Sequence, residues 1–72
     1  MTNKDLLTEG ISKDIVSYLM EDYQMSWQEA LRRWYNSDTF AKLQDERTGL
    51  YIQSSGYVYD FLQNELKTGK IS

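Results

Sequence analysis

The 72 residues include no cysteine and no histidine. A chain this short without either residue cannot be stapled by disulfides or held by a thiolate or imidazole metal site. Its fold must come from one apolar core. A domain of this size buries about 60% of the surface that its unfolded chain exposes, which is one modest core and one domain. The same two absences remove Cys nucleophiles and His general bases.

The fold that fits is all-α, a small bundle of four short helices over about 12–24, 26–36, 39–49 and 57–67. In the first, Ile11, Ile15, Leu19 and Tyr23 recur every four residues, and Val16 and Met20 widen the stripe. Ser12 is a candidate N-cap. Residues 1–11 are mostly polar and include Gly10. They are expected to be flexible or frayed, or at most an extra turn, ahead of a single helical domain at 12–69.

The second helix opens on Ser26-Trp27-Gln28-Glu29, the pattern of a capping box. Trp27, Ala30, Leu31, Trp34 and Tyr35 follow as an apolar stripe, with Arg32 and Arg33 off it. Asn36-Ser37-Asp38 stops this helix and caps the third. The third helix has a thin face of Phe40, Leu43, Arg47 and Leu50, and Lys42 can pair with Glu46. Thr48-Gly49 terminates it. Leu50-Tyr51-Ile52 reads either as a short extended piece or as a last turn. Ser54-Ser55-Gly56 forms a loop whose serines can cap the fourth helix. That helix points Val58, Phe61, Leu62 and Leu66 inward, with Gly69 as its C′ residue. No helix is long enough to be stable alone, so each depends on packing against the others.

Apolar residues make up 40% of the chain and charged residues 26%, a balance that folds. No apolar run reaches the length of a membrane span, and no apolar signal region follows a basic start. The expectation is a cytoplasmic protein that does not enter a membrane. Aromatic content is high at 14%, with six Tyr, two Trp and two Phe. Rings fill small cores, and they are also enriched at interfaces. Trp27, Trp34, Phe40 and Phe61 fit the core stripes best.

Three classes of function compete. Catalysis lacks a constellation: Glu21-Asp22 and Asp45-Glu46 are adjacent pairs that do not face one another on a helix, and the glycines are isolated. The expectation is no enzyme, no cofactor and no metal. DNA binding could use the helix–loop–helix at 26–49, with Lys42, Gln44 and Arg47 on the recognition helix. Formal charge is −4 over residues 1–29, +1 over 30–47 and zero over 48–72. One excess positive charge is a weak grip on phosphate, so nucleic acid is the alternative rather than the lead. Protein binding is the lead. Arg32, Arg33, Tyr35, Tyr51, Tyr57 and Tyr59 supply Arg and aromatic surface beyond what the core needs, and these residue types dominate interface hot spots. The partner is another protein or a second copy, since a small domain gains core by pairing.

The segment from Ser12 to about Leu66 resembles a family of short uncharacterised bacterial all-α proteins, a domain of unknown function. The resemblance rests on the amphipathic helix ending near Tyr23, on Ser26-Trp27-Gln28-Glu29-Ala30-Leu31, and on Leu50-Tyr51-Ile52-Gln53-Ser54-Ser55-Gly56-Tyr57-Val58-Tyr59-Asp60. Members often follow a small-residue turn with Tyr, an aliphatic residue and an acidic residue; Tyr57, Val58 and Asp60 match. Members often carry a His before that turn, where this chain has Tyr51, so a role for that His does not carry over. Some members are encoded beside toxin-like proteins, and an antitoxin or accessory role is what the resemblance implies.

Overall fold

The computed structural model describes residues 3–68 and is an all-α bundle. Its helices are α1 (Asn3–Tyr23), α2 (Trp27–Tyr35), α3 (Asp38–Gln44) and α4 (Ser55–Thr68), with 3₁₀ turns at Glu46–Thr48 and Leu50–Ile52 between α3 and α4. No strand occurs among the described residues. No helix among them is long and apolar enough to cross a membrane. Gly69 lies outside the described residues.

Helix α1 corrects the expectation of a frayed N-terminal segment, because it begins at Asn3 rather than near residue 12. An interior glycine costs a helix only about 1 kcal/mol relative to alanine. Burial of Thr8, Ile11 and Ser12 around Gly10 outweighs that cost. Ser12 is therefore not an N-cap. It sits mid-helix, and its Oγ accepts a hydrogen bond from the Trp34 indole Nε1 at 2.9 Å. At the other end, Gln24 takes a left-handed φ of 57° and its side-chain amide donates to the Glu21 carbonyl. That is the usual way to stop a helix, here with a residue other than glycine.

Helix α2 starts as its capping pattern predicts: Ser26 Oγ accepts from the Glu29 backbone N–H at 3.2 Å. The Glu29 carboxylate does not complete a box, because Arg33 Nε at 3.0 Å and Arg32 Nη2 hold it. Ser37 caps α3 by accepting from Phe40 N–H, and it donates to the Trp34 carbonyl.

The third helix is shorter than the expected 39–49. Asp45 leaves helical geometry at φ −86°, ψ 111°, and its carboxylate accepts from the Arg47 backbone N–H and guanidinium. The short aspartate side chain offers the backbone a turn in place of the next helical bond. With the helix ended, Lys42 and Glu46 lose the register that would pair them. Gly49, at φ 69°, links the two 3₁₀ turns. Leu50-Tyr51-Ile52 is the second turn, and it buries Leu50. Ser54 Oγ then accepts from Tyr57 N–H, and α4 begins two residues before the expected start.

The core gathers Ile11, Ile15 and Leu19 from α1, Ala30 and Trp34 from α2, Leu43 from α3, Leu50, and Val58, Tyr59 and Leu62 from α4. Trp34 is fully buried and meets Phe40 edge-on, with ring centroids 5.3 Å apart. Two expectations about rings exchange places. Trp27, assigned to the core, is 55% exposed; Tyr59, assigned to the surface, is 8% exposed.

Polar clasps join the elements. Tyr59 OH donates to Asp22 at 2.7 Å and Ser55 Oγ to Asp14 at 2.6 Å, tying α4 to α1. The Glu65 carboxylate accepts from the backbone N–H groups of Asp38 and Thr39, each at 2.9 Å, and from the Thr39 hydroxyl. It caps α3 from across the chain.

Candidate interaction groove

Helices α1 and α2 are joined by three residues, and Ser12 at the middle of α1 bonds to Trp34 near the far end of α2. The pair is therefore a helical hairpin. One flank of it, continued by α3, forms a groove of about 650 Å³. Val16 of α1, Leu31 and Tyr35 of α2 and Phe40 of α3 are its apolar walls. The buried Thr8 and Ser12 form its floor, and the exposed Asp5, Glu9 and Lys13 its rim. Lys13 Nζ lies 3.6 Å from the Glu9 carboxylate. Tyr35 and Phe40 meet edge-on with ring centroids 4.8 Å apart, so the exposed Tyr35 ring is braced.

The groove lies beside an apolar row on α2. Trp27, Leu31 and Tyr35 are spaced by four, which places them along one side of the helix. Trp27 and Tyr35 are more than half exposed, and Leu31 is half-buried. On α1, Met20 stands one turn beyond Val16 and is exposed. Met20 and Trp27 are both at the connection end of the hairpin. The apolar surface thus continues past the groove itself.

The six residues expected to bind a partner have different fates. Tyr35 lines the groove. Arg32 and Arg33 are exposed on α2 but share one carboxylate, that of Glu29. The hydrogen bonds from Arg33 and then Arg32 hold the Glu29 carboxyl below the ordinary glutamate range. The three groups together carry one net positive charge. Tyr57 is exposed and tilts against Phe61 at 5.5 Å. Tyr51 is half-buried against the core. Tyr59 is a core residue, packed 4.9 Å from Tyr18 and bonded to Asp22. Burial, and then the bond to Asp22, raise its phenol well above the ordinary tyrosine range. The tyrosines near the serine-glycine turn therefore do not form one exposed patch.

Five wall and floor residues of the groove escape a sequence reading aimed at exposed rings: Thr8, Ser12, Val16, Leu31 and Phe40. The available signal was the four-residue spacing of Trp27, Leu31 and Tyr35. At about 100° per residue this row runs parallel to that of Ala30 and Trp34, offset by one residue around the helix. Helix α3 has seven residues, buries Thr39 and Leu43, and has two of its first N–H groups occupied by Glu65. No group of three or more Asp or Glu side chains among the described residues is placed to hold a metal ion. No family model, curated protein or solved structure matches this chain.

Proposed function

We propose that this protein is a non-catalytic interaction module of the bacterial cytoplasm that takes a segment of a partner protein along the α1–α2 groove. The observation that carries this reading is the row of exposed Trp27, half-buried Leu31 and exposed Tyr35 beside an apolar groove. Contiguous exposed apolar surface of this kind marks interaction sites, and Trp and Tyr are its strongest anchors. The charge distribution favours a different protein over a second copy. Residues 3–23 carry two basic and five acidic side chains, a charge of −3 that equals the chain's whole net charge. Two copies meeting through α1 would bring like charges together.

An antitoxin-like or accessory role follows if the partner is the product of an adjacent gene. The test is titration of that purified product while tryptophan emission is followed. Trp34 is already buried, so a blue shift reports Trp27 leaving water. The expected result is a saturable blue shift, with Tyr35→Ala weakening binding by about 2 kcal/mol. An unchanged spectrum at micromolar concentrations contradicts the adjacent-gene role. The DNA-binding reading predicts retarded promoter DNA at low salt, where phosphate attraction is greatest. The present reading predicts unchanged mobility.

A further inference from the structure

Two properties of the groove limit what lies in it. The first is the nature of its walls. Val16, Leu31, Tyr35 and Phe40 all stand on α-helices, and no strand occurs among the described residues. Helices use their backbone N–H and C=O groups internally, so these walls offer an entering chain side chains and no sheet edge. A segment docked there in extended form leaves its own backbone groups without partners, which is costly where water is excluded. An α-helix satisfies those groups itself and lays an apolar face into such a groove. The second property is the order of residues along α1. Asp5, Glu9, Val16 and Met20 lie within about 60° of one another around the helix and span about 22 Å of its length. Asp5 and Glu9 are exposed towards the start of α1, whereas Val16 and the exposed Met20 lie towards the connection to α2, beside Trp27. The surface is thus acidic at one end and apolar at the other. Lys13 lies 3.6 Å from Glu9 and offsets one of the two carboxylates, which leaves the rim an acidic excess.

We infer that the segment taken by this groove is an amphipathic α-helix of about four turns, with Lys or Arg at the end that meets Asp5 and Glu9. The inference rests on the interaction reading above and names the partner's chemistry. At 1.5 Å per residue, about 15 residues of helix cover the 22 Å face. Its apolar side packs on Val16, Leu31 and Phe40 and on the exposed Trp27 and Tyr35 rings. The other acids of α1 that hold cross-chain bonds, Asp14 and Asp22, are engaged by Ser55 and Tyr59 of α4, so Asp5 and Glu9 are the acids of this groove. Basic side chains at that end fix which way round the helix lies and which partner is taken, more than they add affinity. Exposed ion pairs are individually weak, so the apolar face supplies most of the binding and the charges a several-fold preference.

Three terminally blocked peptides of about 15 residues are the probes. One has leucines at helical spacing and two lysines at one end, one has glutamates in place of those lysines, and one is the lysine peptide with a central proline. Binding is followed at low salt through backbone amide shifts of the labelled protein. The lysine peptide is expected to shift signals at positions 16, 27, 31, 35 and 40 and to bind several-fold more tightly than the glutamate peptide. That preference is expected to vanish at high salt and in the double variant Asp5→Asn, Glu9→Gln. The proline peptide is expected to bind about tenfold more weakly or worse, because the ring breaks the helix. Equal binding of the lysine and glutamate peptides, a preference that the double variant leaves intact, or undiminished binding of the proline peptide overturns the inference and leaves the apolar interaction face standing. Absence of any shift with the lysine peptide also overturns it, while the titration with the adjacent gene's product tests the interaction reading separately.

Discussion

Trp34 and Ser12 illustrate how much depends on one hydroxyl. The indole N–H is buried with a fully buried ring, and Ser12 Oγ accepts its hydrogen bond. Ser12→Ala leaves that donor without a partner, which costs about 1–3 kcal/mol. A fall of that size in the unfolding free energy, measured by urea titration, is the expected result. Tyr59 gives the second residue-scale prediction. Its phenol is raised in the folded protein by burial and by the bond to Asp22, whereas an unfolded tyrosine ionises near pH 10. Above that pH the unfolded chain binds fewer protons than the folded one. Stability is then fully present below about pH 10 and falls as pH rises further, by about 1.4 kcal/mol per unit for one group. Tyr59→Phe lacks this steepening, which urea midpoints between pH 8 and 11 would reveal. Neither role is legible from spacing alone. Ser12 looks like a cap because serine precedes an apolar stripe, and Tyr59 looks marginal because its partner lies 37 positions away.

At the scale of elements, local chemistry was readable wherever the deciding bond is local. Ser26 caps α2 through a residue three positions on, and Ser37 does the same for α3. The start of α1 was not readable. Glycine and polar residues argue for a loop, while the burial of Thr8, Ile11 and Ser12 on either side of Gly10 depends on packing against other elements. The end of α3 was missed for a different reason. Asp45 folds back onto Arg47, a two-residue contact that competes with the helix without leaving a gap in its pattern. Glu65 capping α3 from α4 is purely tertiary. Gly10 offers a direct test of the longer α1. It is exposed, and an added Cβ there meets nothing within 4 Å. Gly10→Ala should raise the unfolding free energy by about 0.5–1 kcal/mol. A loop or frayed segment at this position would gain little.

For the whole molecule, the surface area of 4784 Å² is close to the value of about 4,600 Å² expected for a compact chain of this mass. The bundle thus closes its core without a disulfide, yet leaves Trp27, Tyr35 and Met20 exposed on the flank of the α1–α2 hairpin. Excess rings were legible in the composition, and Tyr35 is among those the bundle leaves exposed. The groove was not legible, because its floor and walls come from three helices whose packing the sequence does not spell out. On the proposed function, partners approach through this flank and not through Ile52 and Tyr57, which are also exposed. A photo-crosslinking residue placed in turn at positions 27, 35, 52 and 57, with the protein expressed in its native cell, compares these faces directly. The expected result is one discrete adduct from positions 27 and 35 and none from 52 and 57. Adducts from 52 or 57 with none from 27 and 35 would contradict it.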